Sequence, residues 1–383
     1  MTENNRLCSQ YCIDVIRSVM LALPVPAMPD TLSLSQLFSF AGMHSVELMV
    51  YTGLSELAID DNDPVWTLWG NRAEILLAQN LVQLADLDVL TEALTDAGID
   101  LMPIKGCWLK ELYPQAEFRQ MTDLDIYIRK KDIQKARLIM AEQGYSDYKG
   151  DAAVHHYIYQ KLPHTVVELH RELLHINEGC EHYYDDVWER AQQVPGQAHL
   201  YRFSAEDEYI FYFLHLKGHL AEGGCGIRSI LDSMVFRSAC PDMDREYLQG
   251  EFDRLKIAEL VRQVEQMADC WFATGCELPD SLEDFAEYII SSGVGGTFDN
   301  KVRNRMSALK GRYKNPLIRT LAYLCSMFFI PMDEMKLKYP LLNKAPFLLP
   351  LFWVIRAIKK CLVRPGELLP FIKVVLKEGK KNA

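Results

Sequence analysis

Asp123 and Asp125 are separated by one residue in the run Asp123-Leu-Asp-Ile-Tyr-Ile-Arg129. Residues i and i+2 of a strand point to the same face. The two carboxylates would therefore stand side by side while Leu124, Ile126 and Ile128 face a core. Adjacent carboxylates repel unless a cation or a proton lies between them. Hard divalent ions take one or two carboxylates together with substrate phosphates. The same spacing also suits the wet face of an edge strand. A third acid, Glu168, falls in the strand-like run 164–170, where Val166, Glu168 and His170 share one face and Val167 and Leu169 the other. Beside the Asp123 strand, Glu168 would complete a three-carboxylate set; elsewhere it belongs to an ordinary half-exposed strand.

The elements that must hold these groups can be read from pattern. Leu101 to Ile104 is a short apolar run bounded by turn residues, which suits a buried strand. Gly106 stands where that strand turns into a helix, and a residue without Cβ lets backbone or ligand come close. Leu109, Leu112 and Tyr113 give the next turns an apolar stripe, and Pro114 ends them. A helix is expected over 131–143 and strands over 155–161 and 164–170, with Leu162-Pro163 as a tight reversal.

Lys105-Gly106-Cys107, Tyr113-Pro114, Arg119, Met121 and Asp123-x-Asp125 together resemble the DNA-polymerase-beta-like nucleotidyltransferase superfamily, and within it a bacterial nucleotidyltransferase-like family. The resemblance spans about residues 80–235. It implies an α+β fold: a small mixed β-sheet nucleotidyltransferase core flanked by large N- and C-terminal α-helical regions. It also implies metal-dependent transfer of an NMP, AMP in the first instance, from an NTP to a hydroxyl acceptor with release of pyrophosphate. Asp123, Asp125 and Glu168 would then be catalytic and bind Mg²⁺ or Mn²⁺. Lys105, Gly106, Cys107, Arg119 and Lys217 would bind the nucleotide, and His170, His215, His219, Arg228 and Asp232 would border the site. The superfamily places Ser or Gly where this chain has Cys107, which keeps the backbone amide and removes a hydroxyl. That departure leaves an alternative: an inactive or antitoxin-like binder of nucleotide or partner on the same fold.

The 383 residues carry 41 Lys+Arg and 52 Asp+Glu, a net charge of −11. The balance is uneven: residues 301–383 hold 18 basic against 4 acidic residues, and the first 300 hold 23 against 48. An acidic body argues against general nucleic-acid binding by that part. Ten scattered cysteines without a Cys-x-x-Cys pair, and a polar start without an apolar leader, read as reduced thiols in the cytoplasm.

Four regions are expected: a helical lead-in over 1–90, the α/β core over 91–200, a helical domain over 201–330, and a basic, Pro-punctuated segment over 331–383. Asp63-Pro64 should open a long helix whose buried face is Leu76, Leu77, Leu81, Leu84 and Leu87. Ser204-Ala-Glu-Asp207 reads as a helix cap. On the helix that follows, His215 and His219 share a face, a spacing that could ligate zinc but lacks a following Glu and a third ligand. Gly223-Gly-Cys-Gly226 suits either a phosphate cradle or a helix–helix turn. Residues 346–364 read as an amphipathic basic helix, docked on the protein's own acidic body, in peripheral contact with a membrane, or held by a partner protein; its uncharged run is too short for the ~20 residues a span requires.

Overall fold

The computed structural model describes residues 3–147, 156–163, 165–174, 180, 182–332, 335–336 and 339–363. His155, His164 and residues 364–383 of the basic tail, on which sequence expectations also fell, lie outside the described residues. The fold is α+β, a small mixed sheet among many helices. Two compact units divide it: residues 1–218 with 225–295, and residues 219–224 with 296–383.

In the first unit, α1 (Glu3–Leu21), α2 (Leu34–His44) and α3 (Glu47–Leu54) precede the long α4 (Pro64–Asp96). Asp63 caps α4 by accepting from the amides of Val65 at 2.7 Å and Trp66 at 3.1 Å, with Pro64 at the first helical position. Its buried side corrects the expected stripe. Leu77 and Leu81 are exposed, and the buried positions are Trp66, Trp69, Ala73, Gln83, Leu90 and Leu94. The reason is a polar contact in mid-helix: Gln83 donates to the Met121 carbonyl and Lys110 donates to Asn80, so this stretch braces the loop that leads to Asp123.

Next come β1 (Leu101–Ile104), α5 (Gly106–Leu109), β2 (Leu124–Ile128), α6 (Ile133–Glu142), β3 (Ser146–Asp147), β4 (His156–Lys161) and β5 (Thr165–His170). The strand order is β1-β2-β5-β4-β3, with β2 and β5 parallel and the other pairs antiparallel. One face of this sheet is apolar. Leu101, Leu124, Ile126, Ile128, Val167 and Leu169 pack with Leu90 and Leu94 of α4 and with Ala136 and Met140 of α6. Period-2 alternation thus sends the charged partners of these strands to the opposite face.

α7 (Val187–Arg190), β6 (Gln192–Gln193) and β7 (Tyr201–Arg202) lead to α8 (Ala205–Glu222), whose start is the expected cap: Ser204 Oγ accepts from the Asp207 amide at 3.1 Å. α9 (Ile227–Ala239), α10 (Arg245–Arg254), α11 (Ala258–Ala268) and α12 (Asp280–Ser292) complete the unit. The glycine run before α9 is a packed turn. The Ile227 amide donates to His44 Nδ1 at 3.1 Å, and a Cβ on Gly226 would meet that same ring nitrogen at 3.0 Å, so the start of α9 is closed by protein. Cys270 and Cys276 form a disulfide, which corrects the expectation that all cysteines are reduced thiols. The pair closes a short loop that the absence of a Cys-x-x-Cys motif did not reveal.

The second unit contains α13 (Phe298–Ala308), α14 (Pro316–Phe328) and the helix Leu349–Val363. Trp353 Nε1 donates to the Ile330 carbonyl at 2.8 Å, Arg356 donates to carbonyls that end α14, and the Trp353 and Phe329 rings meet at 4.9 Å. The helix is therefore docked on its own unit. Among the described residues, no helix is long and apolar enough to cross a membrane.

Candidate active site

Pairing of β2 with β5 puts Asp125 opposite Glu168 and Tyr127 opposite His170. β4 adds His156 opposite His170. Partners in register share a face, so one side of the sheet carries Asp125, Glu168, His170 and His156 together. Asp123 lies one residue before β2 rather than inside it. It is near enough to Asp125 and Glu168 to feel both charges.

Hydrogen bonds tie these groups into one cluster. Lys105 Nζ donates to Asp125 Oδ1 at 2.7 Å, and His170 Nε2 meets the same oxygen at 2.7 Å. Both contacts fall on Oδ1 of a buried carboxylate. His170 Nε2 also lies 3.4 Å from Glu168 Oε2, and His156 Nε2 lies 3.5 Å from Glu168 Oε1. Asp123 accepts from Thr122 Oγ1 at 3.1 Å.

The electrostatics separate the two aspartates. Burial opposes ionisation of Asp125, but the Lys105 ammonium and the His170 imidazole outweigh it and hold this carboxyl far below the usual range. Burial opposes charge on Lys105 too, and Asp125 more than offsets it. Asp123 has no such cation on it. Burial, then Asp125 and Glu168, push its carboxyl up to about 6. Burial opposes charge on Glu168, but the His170 hydrogen bond together with the charges of His156 and Lys105 holds its carboxyl below the ordinary value. His156 is pushed down to about 4, chiefly by burial.

The bend after β1 is held from several sides. Lys105 has φ +55°, a conformation that favours glycine. Glu208 of α8 is buried and accepts from the Lys105 backbone amide; burial pushes its carboxyl up to about 8. A Cβ on Gly106 would come within 2.7 Å of Arg119 Nη1 and 2.9 Å of Met121 Sδ, so the close approach that this glycine permits is made by protein. Cys107 is buried, and burial pushes its thiol up to about 12.

Arg119 is committed to structure. Its Nε and Nη2 donate to the two oxygens of Asp232 on α9 at 2.9 and 3.0 Å, and Tyr113 donates to Asp232 at 2.6 Å. Arg228 Nη1 donates to the Gln120 carbonyl at 2.6 Å. Thus Arg228 and Asp232 hold the loop between the bend and Asp123 against α9. Lys217 and His215 are half-buried on α8, and His219 is exposed and belongs to the second unit. The partners of the three acids are Thr122, Lys105, His170 and His156, so Lys217, His215 and His219 are not among them.

Sequence pattern missed His156 and Glu208. His156 is marked only by its register against His170, which needs the strand pairing. Glu208 looks like an ordinary acid in a first helical turn, where the helix dipole favours one.

The chain belongs to a family of uncharacterised nucleotidyltransferases, whose sequence model matches residues 31–273. That span takes in β1 to β5, the glycine bend and α8 to α11. No curated protein and no solved structure matches the chain.

Proposed function

We propose that this nucleotidyltransferase moves AMP from ATP to a hydroxyl acceptor, with Asp123, Asp125 and Glu168 as its catalytic acids. The observation that carries the reading is the register of Asp125 with Glu168 on one sheet face, beside Asp123. The donor set fits a hard divalent cation. Asp125 and Glu168 are in register on one face, and Asp123 carries a raised pKa that a cation would relieve, while the ligand atoms that already converge within 4.8 Å are those of His156, Glu168 and His170, so the acids would have to draw together around the ion. Asp123, Asp125 and Glu168 would hold Mg²⁺ or Mn²⁺, which supplies charge neutralisation at the phosphates and at the leaving oxygen.

Glu168, kept ionised by His170, accepts the proton of the acceptor hydroxyl. The acceptor oxygen then bonds to the α-phosphorus as the bond to the bridging oxygen breaks, and pyrophosphate leaves with that electron pair. His170 touches both Asp125 and Glu168 and fixes their mutual orientation. Lys105 holds Asp125 in place, and for the amides of Gly106 and Cys107 to take phosphate the Arg119 and Met121 side chains packed beside Gly106 would have to move aside. Arg119, Arg228 and Asp232 are positioning residues that brace the loop. Membrane contact through 346–364 is supported by exposed Phe347, Leu351, Ile355 and Ile358 beside basic residues.

The test is label transfer from α-labelled ATP to components of a cell extract with Mg²⁺. Transfer by the native chain and its loss in Asp123→Ala/Asp125→Ala is expected. Transfer that persists in the double variant would overturn the assignment.

A further inference from the structure

A cavity of 670 Å³ opens beyond the C-terminal ends of β2 and β5. Tyr127 forms part of its wall, on the same sheet face as Asp125 and about 6.6 Å further along the strand. The cavity thus begins one step along the strand beyond Asp125, with Tyr127 as the wall between them, and the three acids are not part of its lining. We propose that it binds the acceptor, a small hydroxyl-bearing molecule that carries a phosphate or carboxylate group. This rests on the reading of Asp123, Asp125 and Glu168 given above.

Topology separates the two substrates. β1 runs antiparallel to β2, with Ile104 opposite Asp125, so the Lys105-Gly106 bend lies at the N-terminal end of β2. Arg129 and Arg171 follow the C-terminal ends of β2 and β5. Asp123 lies at the bend end, and Asp125 and Glu168 lie between. A triphosphate held at the bend leaves the far side for the second substrate, and in-line displacement needs the attacking and leaving oxygens on opposite sides of the phosphorus.

Charge selects the ligand. Four cations, Arg129, Lys130, Lys131 and Arg171, line the cavity against two acids, Glu172 and Asp185. Both acids are engaged, Glu172 by Lys130 at 3.1 Å and Asp185 by His182 at 2.8 Å. This positive bias stands within a part of the chain that is strongly acidic overall. The wall is also fixed before a ligand arrives. Tyr127 and Trp188 stack with centroids 5.1 Å apart, and the Arg129 guanidinium lies 4.4 Å from the Trp188 centroid while bonding Asp100 at 2.7 Å. A wall fixed in this way lowers the ordering cost of binding. The volume falls in the small-ligand range of about 300–1,000 Å³.

The experiment is calorimetric titration of the full chain with glycerol 3-phosphate, glycerate and glycerol, and separately with ATP plus Mg²⁺. The variants are Lys131→Gln/Arg171→Gln, Lys131→Glu alone as a milder surface change, and Asp123→Asn. At least one anion should bind where glycerol does not; the phosphate or the carboxylate arm names the group. Loss of charge-assisted bonds in the double variant should weaken that anion about tenfold or more, and Lys131→Glu should weaken it in the same direction. ATP binding should be unchanged in both and reduced in Asp123→Asn. No anion binding, anion binding equal in all variants, or loss of ATP binding in Lys131→Gln/Arg171→Gln would overturn the proposal. A native chain that binds the anion but not ATP would instead sink the reading of the acid site.

Discussion

Asp123 and Asp125 are of one type and two residues apart, yet their surroundings give them different roles. Asp125 is locked between Lys105 and His170, so its removal strands a largely buried ammonium and a buried imidazole. Breaking such a pair costs about 3–5 kcal/mol. Asp125→Ala should therefore lower the thermal midpoint sharply, and Asp123→Asn should leave it nearly unchanged, as read by circular dichroism. Asp123 titrates at about 6, so affinity for Mg²⁺ should fall as pH drops below that value and hold steady above it. Glu208 gives a stability effect of definite sign. Its folded carboxyl titrates at about 8, above the ordinary ~4.3, so between these values the folded state binds the extra proton. Stability should fall as pH rises through this window, by at most about 1.4 kcal/mol per pH unit. Glu208→Gln keeps an acceptor for the Lys105 amide and should flatten that slope in denaturant melts at pH 5 to 8. An unchanged slope would contradict the assignment.

At the scale of elements, the site depends on how the β1–β2 loop is pinned. α4 holds it through Gln83 and Asn80, and α9 holds it through Asp232 and through Arg228 on Gln120. Arg119→Gln or Asp232→Asn each leaves a buried partner unpaired, and each should cost about 3–5 kcal/mol. The two together should cost less than their sum, a coupling that a double-mutant cycle in denaturant melts would measure. The strands themselves were legible in sequence, because Leu124, Ile126 and Ile128, and Val167 and Leu169, keep strict alternation against a buried face. The caps at Asp63 and Ser204 were legible because their side chains act within a few residues. Arg119, which the resemblance places at phosphate, bonds Asp232, 113 residues away, a partner that no local pattern reveals. The buried stripe of α4 departs from the leucine pattern for the same reason: Gln83 is buried by a distant loop carbonyl.

For the whole molecule, charge and surface divide unevenly. The basic C-terminal segment contains a helix that docks on the second unit by Trp353 and Arg356 while Leu351, Ile355 and Ile358 stay exposed. Apolar surface beside Lys and Arg suits an anionic bilayer interface. The full chain should float with anionic liposomes at low salt, and a chain lacking residues 331–383 should not. Equal flotation would assign the segment to docking alone. The α+β class is what the family resemblance implies, and the strand runs set between long helical stretches agree with it, whereas the Cys270–Cys276 disulfide left no mark in the cysteine spacing.

The central claim is that Asp123, Asp125 and Glu168 act as one metal-dependent nucleotide site. Calorimetric titration of ATP into the native chain and into Asp123→Asn, each with and without Mg²⁺, tests it most directly. The account predicts binding by the native chain that requires Mg²⁺ and weakens about tenfold or more in Asp123→Asn. ATP affinity indifferent to both the metal and the substitution would contradict it.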